Sequence, residues 1–166
     1  MSKIQKYLLF SFFLLIFSLL TSQYFISFSI YLVSSAEVKL VHSAGHFSLL
    51  FNPYFILSIT LLPELIWVII YFTGRSSIKD IIMSTGIMLL SAVVFWSLRM
   101  QYFILDYRRL EIIFFDEFGY EMPIESIKSG KYFALGIFTG FLISLAFFYI
   151  FRKKKESAVV SNSNHY

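Results

Sequence analysis

The chain has 166 residues, of which 58% are hydrophobic and 14% are charged, and its formal net charge is +4. Soluble domains are roughly half apolar and a quarter charged, so this composition predicts a chain whose main solvent is lipid. The absence of cysteine excludes a disulfide framework, thiol redox chemistry, cysteine-ligated zinc and iron–sulfur clusters.

The first apolar segment covers residues 7–23 and is long enough to cross the hydrocarbon core of a membrane as a helix. Lys3 and Lys6 precede it, and the small residues Ser34-Ser35-Ala36 lie well beyond its end. A peptidase site at that distance would be unusual, so we expect an uncleaved span. A cleaved signal peptide is the alternative.

Residues 24–52 are predicted to form the first outer loop. Apolar and polar side chains alternate over residues 27–32 and again over residues 37–42, which is the period of a β-strand. Ser43-Ala44-Gly45 offers a turn at which the chain can double back. The alternative is one long helix to Val33 followed by an irregular loop.

The second and third spans are predicted at residues 53–72 and 81–104. Pro53 suits the first turn of a helix, because its missing N–H costs nothing there. Arg75 and Lys79 lie in the short connection between these spans and form a second positive cluster.

Residues 105–131 are predicted to form the second outer loop. Residues 110–115 and 120–124 have the composition of two strands, and Gly119 can take the positive φ that closes a β-hairpin. An interfacial helix is the alternative. We expect the two outer loops to pack on each other as a small extracytoplasmic β-rich cap.

The fourth span is predicted at residues 132–151, and residues 157–166 have the composition of a disordered cytoplasmic tail. Between them lies a cluster of four cations: Arg152, Lys153, Lys154 and Lys155. With the other positive clusters, it places both termini in the cytoplasm and would attract anionic headgroups. Because the charge reports orientation, no nucleic-acid partner is predicted. Composition favours the plasma membrane of a bacterium.

Together these elements predict an all-α integral membrane protein with a single domain over residues 1–156. Its architecture is a four-transmembrane-helix bundle carrying the β-rich cap formed by the two outer loops.

Glu64 lies near the middle of the second span, where a charge costs several kcal/mol unless it is neutralised or paired. Arg99 lies near the outer end of the third span, and its long side chain can reach inward. We therefore predict a Glu64–Arg99 pair that locks two helices together. One alternative is a proton or cation site, with Pro63 loosening the helix. Another is a protonated, unpaired Glu64.

Gly136, Gly140 and Ser144 form a small-residue stripe at four-residue spacing, which allows close packing of another helix from this chain or from another protein. His42 and His46 have the spacing of two metal ligands on a helix, but the intervening Ser-Ala-Gly argues against a helix. No metal or other cofactor is predicted.

The chain contains no glycine-rich phosphate loop, Gly-x-Ser-x-Gly or His-Glu-x-x-His motif, so no enzymatic activity is predicted. We expect a non-enzymatic polytopic membrane protein that acts through protein contacts as an accessory, regulatory or protective subunit. Its partners would be the lipid bilayer and a membrane protein or second copy. A small transporter or ion pathway using Glu64 is the alternative. An intramembrane enzyme would need a second catalytic group, for which Ser97 and Tyr102 are distant candidates.

Overall fold

The computed structural model describes residues 3–41, 52–74, 76–113 and 122–163. These ranges are nearly all helical. A 3-10 helix, Ile124–Ile127, precedes the last of the α-helices, and we call it the 3-10 turn. The α-helices are α1 (Lys3–Ser34), α2 (Pro53–Thr60), α3 (Leu62–Thr73), α4 (Ile78–Ile113) and α5 (Ser129–Ser163).

Three of the helices are individually long and apolar enough to cross a membrane, over Gln5–Ser34, Ile78–Glu111 and Ser129–Ile150. The pair α2 and α3 reaches that length only together and is bent by 41°. The described chain therefore has three such spans, or four if the bent pair is one span. The predicted helical, membrane-compatible character is confirmed.

The bend between α2 and α3 has a local cause at Pro63. Its ring has no N–H to donate and would clash with the carbonyl group of Ile59 in a straight helix. The flanking bonds still form: the N–H of Leu61 donates to Leu57 O, and the N–H of Leu65 donates to Leu61 O, each over 3.0 Å. The span is therefore redirected without being unwound.

The helices alternate in direction, with α2 and α3 counted as one unit. Ser11, near the start of α1, contacts Glu64 of α3, whereas Ser29, near the end of α1, contacts Trp96 of α4. The glycines of α5 pack against α4 in antiparallel order, so the start of α1 and the apolar end of α5 lie at the same end of the bundle, which we call the termini end. The opposite end, which carries the 3-10 turn, is the cap end.

Helices α4 and α5 make the most extensive contact in the bundle. A Cβ atom added to Gly136 would lie 2.5 Å from the Cα of Ala92, and one added to Gly140 would lie 2.6 Å from the Cα of Met88. Real Cβ atoms do not approach so closely, so the two backbones touch only because glycine stands at both positions.

Among the described residues, a first apolar core is drawn from α2, α3, α4 and α5. Phe25 of α1 packs against this core, with its ring stacked 4.4 Å from that of Phe55 and edge-on to Phe133 at 5.3 Å. The buried members are Phe55, Ile56, Ile59, Leu62, Ile66, Met88, Ala92, Phe133 and Ile137.

A second apolar core lies at the cap end, and Trp96 packs against both cores. It joins the last turns of α1 and α4 to the 3-10 turn. Strands β1 (Leu40–Val41) and β2 (Met122–Pro123) pair in parallel beside it. The buried members are Val33, Val38, Met100, Phe103, Tyr107, Met122, Ile124 and Ile127.

This cap corrects the predicted β-rich one. Helix α1 continues to Ser34 and α4 to Ile113, so residues 27–32 and the start of the predicted hairpin are helical. In the part of the chain that the structure describes, strand pairing is limited to β1 and β2. The alternation was misleading because apolar side chains also lie on the exposed side of this helix, whereas the buried residues Ile26, Ser29 and Val33 follow helical spacing. The predicted turns at residues 43–45 and 116–119 lie outside the described residues.

The helix bounds differ from the predicted spans mainly in length. Helices α2 and α3 together cover the residues predicted for the second span, whereas α1 and α4 run past the cap-end limits predicted for them. Helix α5 continues to Ser163, into the tail that was predicted to be disordered. Nothing in its sequence after Gly140 is a glycine or proline that would stop a helix.

Candidate functional site

The carboxyl group of Glu64 lies in the first turn of α3 and faces α1. The Oγ of Ser11 lies 2.5 Å from Glu64 Oε1 and 3.0 Å from the carbonyl oxygen of Tyr7. Glu64 Oε2 is buried and has no hydrogen-bond partner among the described residues. The cavity beside the group, about 200 Å³, is otherwise lined by Tyr7, Leu8 and Trp67. The surroundings of Glu64 are therefore mainly apolar, and Ser11 is the polar side chain that it contacts.

Ser11 lies between two acceptors, the carbonyl oxygen of Tyr7 in its own helix and the carboxyl group of Glu64 in α3. Its hydroxyl group carries one hydrogen, which it can donate to either acceptor or share between them. Ser11 thereby joins α1 to α3.

Arg99 makes its contacts at the cap end. Its Nε donates to the carbonyl oxygen of Ile127 over 3.0 Å, and its Nη2 donates to that of Ser126 over 2.5 Å. The guanidinium carbon lies 5.2 Å from the ring centre of Tyr132 and 5.5 Å from that of Phe103. Arg99 therefore holds the end of the 3-10 turn against α4 and α5, with aromatic rings around its charge.

The structure does not form the predicted pair between Glu64 and Arg99. Glu64 contacts Ser11, whereas Trp96, which lies one turn before Arg99, contacts Ser29. Ser11 and Ser29 are 18 residues apart in α1, which corresponds to about 27 Å along the helix. The two charged residues thus lie at opposite ends of the bundle, too far apart for their side chains to meet.

Four buried serines on α1 form a further polar feature, which we call the serine seam. The N–H of Asn52 donates to Ser22 Oγ over 2.9 Å, and Trp96 Nε1 donates to Ser29 Oγ over 3.0 Å. With the Ser11 contact, the seam connects α1 to α2, α3 and α4. Its members are Ser11, Ser18, Ser22 and Ser29.

Sequence reasoning missed the serine seam, although a signal was present. Its members are spaced by seven, four and seven residues in a helix otherwise rich in Phe, Leu and Ile. That spacing repeats on one face of a helix, and small polar residues on such a face mark helix contacts in membranes.

The small-residue stripe of Gly136, Gly140 and Ser144 faces α4 of the same chain. In the antiparallel register set by the two glycines, Ser144 stands opposite Ser84, and both serines are buried. The Oγ of Ser144 has no hydrogen-bond partner within the described residues. The stripe is therefore an internal contact and is not open to another protein.

The other residues singled out from the sequence, two histidines and the cation cluster after the fourth span, do not form a binding site among the described residues. His42 and His46 lie outside the described residues. Within the described ranges, no cluster of three or more His, Asp or Glu side chains is placed to hold a metal ion. The backbone of the cluster Arg152 to Lys155 continues α5 beyond its apolar part, which ends at Ile150.

Comparisons of the chain with protein-family models, with curated proteins and with solved structures found no match. The candidate features are thus the Glu64–Ser11 contact, the serine seam and the Arg99-braced cap end, and function is inferred from their geometry.

Proposed function

We propose that the chain is a non-enzymatic membrane protein that acts through protein contacts at its cap end, as an accessory, regulatory or protective subunit. The proposal includes a bacterial plasma membrane and cytoplasmic termini, on the basis of the charge pattern. The main support for a contact role is the second apolar core, because buried side chains there give the cap end a defined fold.

The lengths of α1 and α4 support a projection beyond the membrane. Helix α4 has 36 residues and α1 has 32. At 1.5 Å per residue they are about 54 and 48 Å long, whereas the hydrocarbon core is about 30 Å thick. A large part of each helix therefore lies outside lipid, and at the cap end that part is braced by Arg99 and the cap core.

The surface of the projection has the character of a contact rim. Exposed charged side chains of both signs surround the cap core: Glu37, Lys39, Arg108 and Arg109. Polar, solvent-accessible groups of this kind form the rim of protein interfaces. Because the small-residue stripe is already used inside the chain, the cap end is the surface on which we place the partner.

A position-specific cross-linking experiment tests this proposal. A photo-reactive amino acid at Arg108 should give a discrete cross-linked product in membranes, whereas the same group at the exposed Tyr71 of α3 should not. Arg109→Glu should reduce the product by reversing a charge on the rim, and Lys79→Glu at the termini end should leave it unchanged. Equal labelling from both positions, or none from the cap end, would contradict a cap-end contact.

A second candidate, an ion or proton pathway at Glu64, is favoured by the 41° break beside this residue. Broken helices next to an intramembrane carboxyl group are found at transport sites. Glu64→Gln keeps the shape and hydrogen-bonding ability of the side chain but cannot release a proton. Flux in vesicles made with wild type and lost in a folded Gln variant would support transport. If neither wild type nor the Gln variant shows flux, the contact role is favoured.

A further inference from the structure

A cavity at the cap end is separate from both the Glu64 site and the proposed contact rim. Its volume is about 310 Å³, near the lower end of roughly 300–1,000 Å³ for small-molecule sites. It opens between α1, the start of α2, the 3-10 turn and the start of α5. The lining residues used below are Ile26, Ile30, Ile124, Ile127, Lys128 and Lys131.

The position of the cavity relative to the membrane follows from the spans that border it. Pro53 and Ser129 both line it, and each begins an apolar segment long enough to cross a membrane, which for Pro53 is α2 together with α3. Tyr54 and Lys131 also line it, and tyrosine and lysine favour the interface between hydrocarbon and water. The cavity therefore lies at the level of the lipid headgroups, within reach of a lipid from the surrounding leaflet.

The cavity has an apolar wall of isoleucines and two cations at its edge. Lys128 and Lys131 are both exposed, and the described lining contains no carboxylate to pair with them. Lys131 Nζ lies 5.2 Å from the ring centre of Tyr54, which steadies the ammonium group beside the opening. This combination is complementary to an anionic head attached to an apolar body.

Lys128 has a backbone conformation that is energetically unfavourable for lysine. Its φ is 52°, in the left-handed region that glycine and asparagine adopt more readily than lysine. Arg99 donates to the carbonyl oxygens of Ser126 and Ile127, directly before Lys128. The turn that presents this lysine is therefore fixed by an arginine on another helix.

We propose that this cavity binds the headgroup of an anionic phospholipid from the cap-end leaflet. Lys128 and Lys131 contact the phosphate group, and the glycerol and upper acyl region lie against the isoleucine wall. The volume accommodates a headgroup but not whole acyl chains, which remain in the bilayer. The bound lipid would fill the joint between α1 and the start of α5.

Native mass spectrometry of the delipidated full-length protein tests the proposal by titration with lipids of identical chains. Phosphatidylglycerol should bind more tightly than phosphatidylcholine, and diacylglycerol should bind weakly. Each lysine near a membrane surface contributes about a five-fold change in affinity for anionic lipid. The double variant Lys128→Ala with Lys131→Ala should therefore bind phosphatidylglycerol roughly 25-fold more weakly. Lys39→Ala with Lys79→Ala removes the same charge outside the cavity and should bind like wild type.

Lys128→Asn separates binding from folding. Asparagine tolerates positive φ, so this variant should unfold at the same temperature as wild type or higher while losing affinity for phosphatidylglycerol. Equal weakening by the Lys39 and Lys79 control would show that only net charge matters and would overturn the site. Affinity unchanged in the double variant would do the same. Free glycerol phosphate binding as tightly as the lipid would assign the cavity to small anions instead.

Discussion

Trp96 Nε1 donates a hydrogen bond to Ser29 Oγ over 3.0 Å and thereby joins α4 to α1 at the cap end. The indole ring also packs against two rings of α1, 5.9 Å from Phe25 and 5.8 Å from Phe28 between centres. Few other contacts connect these two helices. This one polar contact, surrounded by aromatic packing, therefore carries much of their association.

Trp96→Phe should weaken the bundle moderately. The variant keeps an aromatic ring but removes the donor to Ser29, and a hydrogen bond of this kind contributes about 1 kcal/mol to stability. Unfolding in detergent, followed by tryptophan fluorescence or thermal aggregation, measures the loss. Trp67→Phe is the matched control, because Trp67 is exposed on α3. An equal loss in both variants would show that the hydrogen bond contributes nothing.

The α4–α5 contact predicts opposite effects on stability for two glycine-to-alanine substitutions. Gly136→Ala should cost about 2 kcal/mol, since the new methyl group would overlap the backbone of Ala92 and force the helices apart. Gly86→Ala meets open space on the exposed side of α4, so it should raise stability by up to about 1 kcal/mol through helix propensity. Thermal unfolding of both variants in the same detergent measures the two changes in stability. Gly136→Ala as stable as wild type would refute the close approach.

The contact between Ser11 and Glu64 is expected to stabilise the packing of α3 against α1 through hydrogen bonding. Glu64→Gln should retain near wild-type stability, whereas Ser11→Ala should cost about 1–3 kcal/mol, because the buried carboxyl group loses its polar neighbour. A double-mutant cycle between Ser11→Ala and Glu64→Leu measures the coupling directly. A coupling energy of zero would show that the two side chains do not support each other.

How far the sequence predicts this molecule varies with the kind of signal. Span positions follow from continuous apolar runs, so the pair α2 and α3 begins and ends close to the predicted limits. Helix ends at the cap were predicted poorly, because α1 exposes apolar as well as polar side chains over residues 27–32, so their alternation did not indicate a strand. In a membrane helix the small residues, Ser22 or Gly140 for example, report the inward face better than the apolar ones do.

For the site residues, the sequence indicated which residues matter but not which contacts they make. Glu64 and Arg99 were singled out from the sequence as charges that need partners, since an isolated charge in a membrane is costly whatever the fold. Their contacts were not predictable from span positions, because Glu64 meets a serine hydroxyl group through one oxygen and Arg99 donates to two backbone carbonyl groups. Serines and carbonyl groups occur throughout the chain, so only the three-dimensional register identifies which ones are used.

Arg99 should be essential for an ordered cap end. Its guanidinium group serves two carbonyl oxygens at once, a geometry that a lysine ammonium group does not reproduce. Arg99→Lys should therefore cost about 1–3 kcal/mol and speed hydrogen exchange at the 3-10 turn, with little change in the membrane core around Met88. Arg108→Lys makes the same chemical change at an exposed position of α4 and should leave exchange unaltered. Exchange that rises throughout the protein would mean that Arg99 supports the whole bundle, whereas exchange unchanged at residues 124–127 would show that this arginine does not hold the turn.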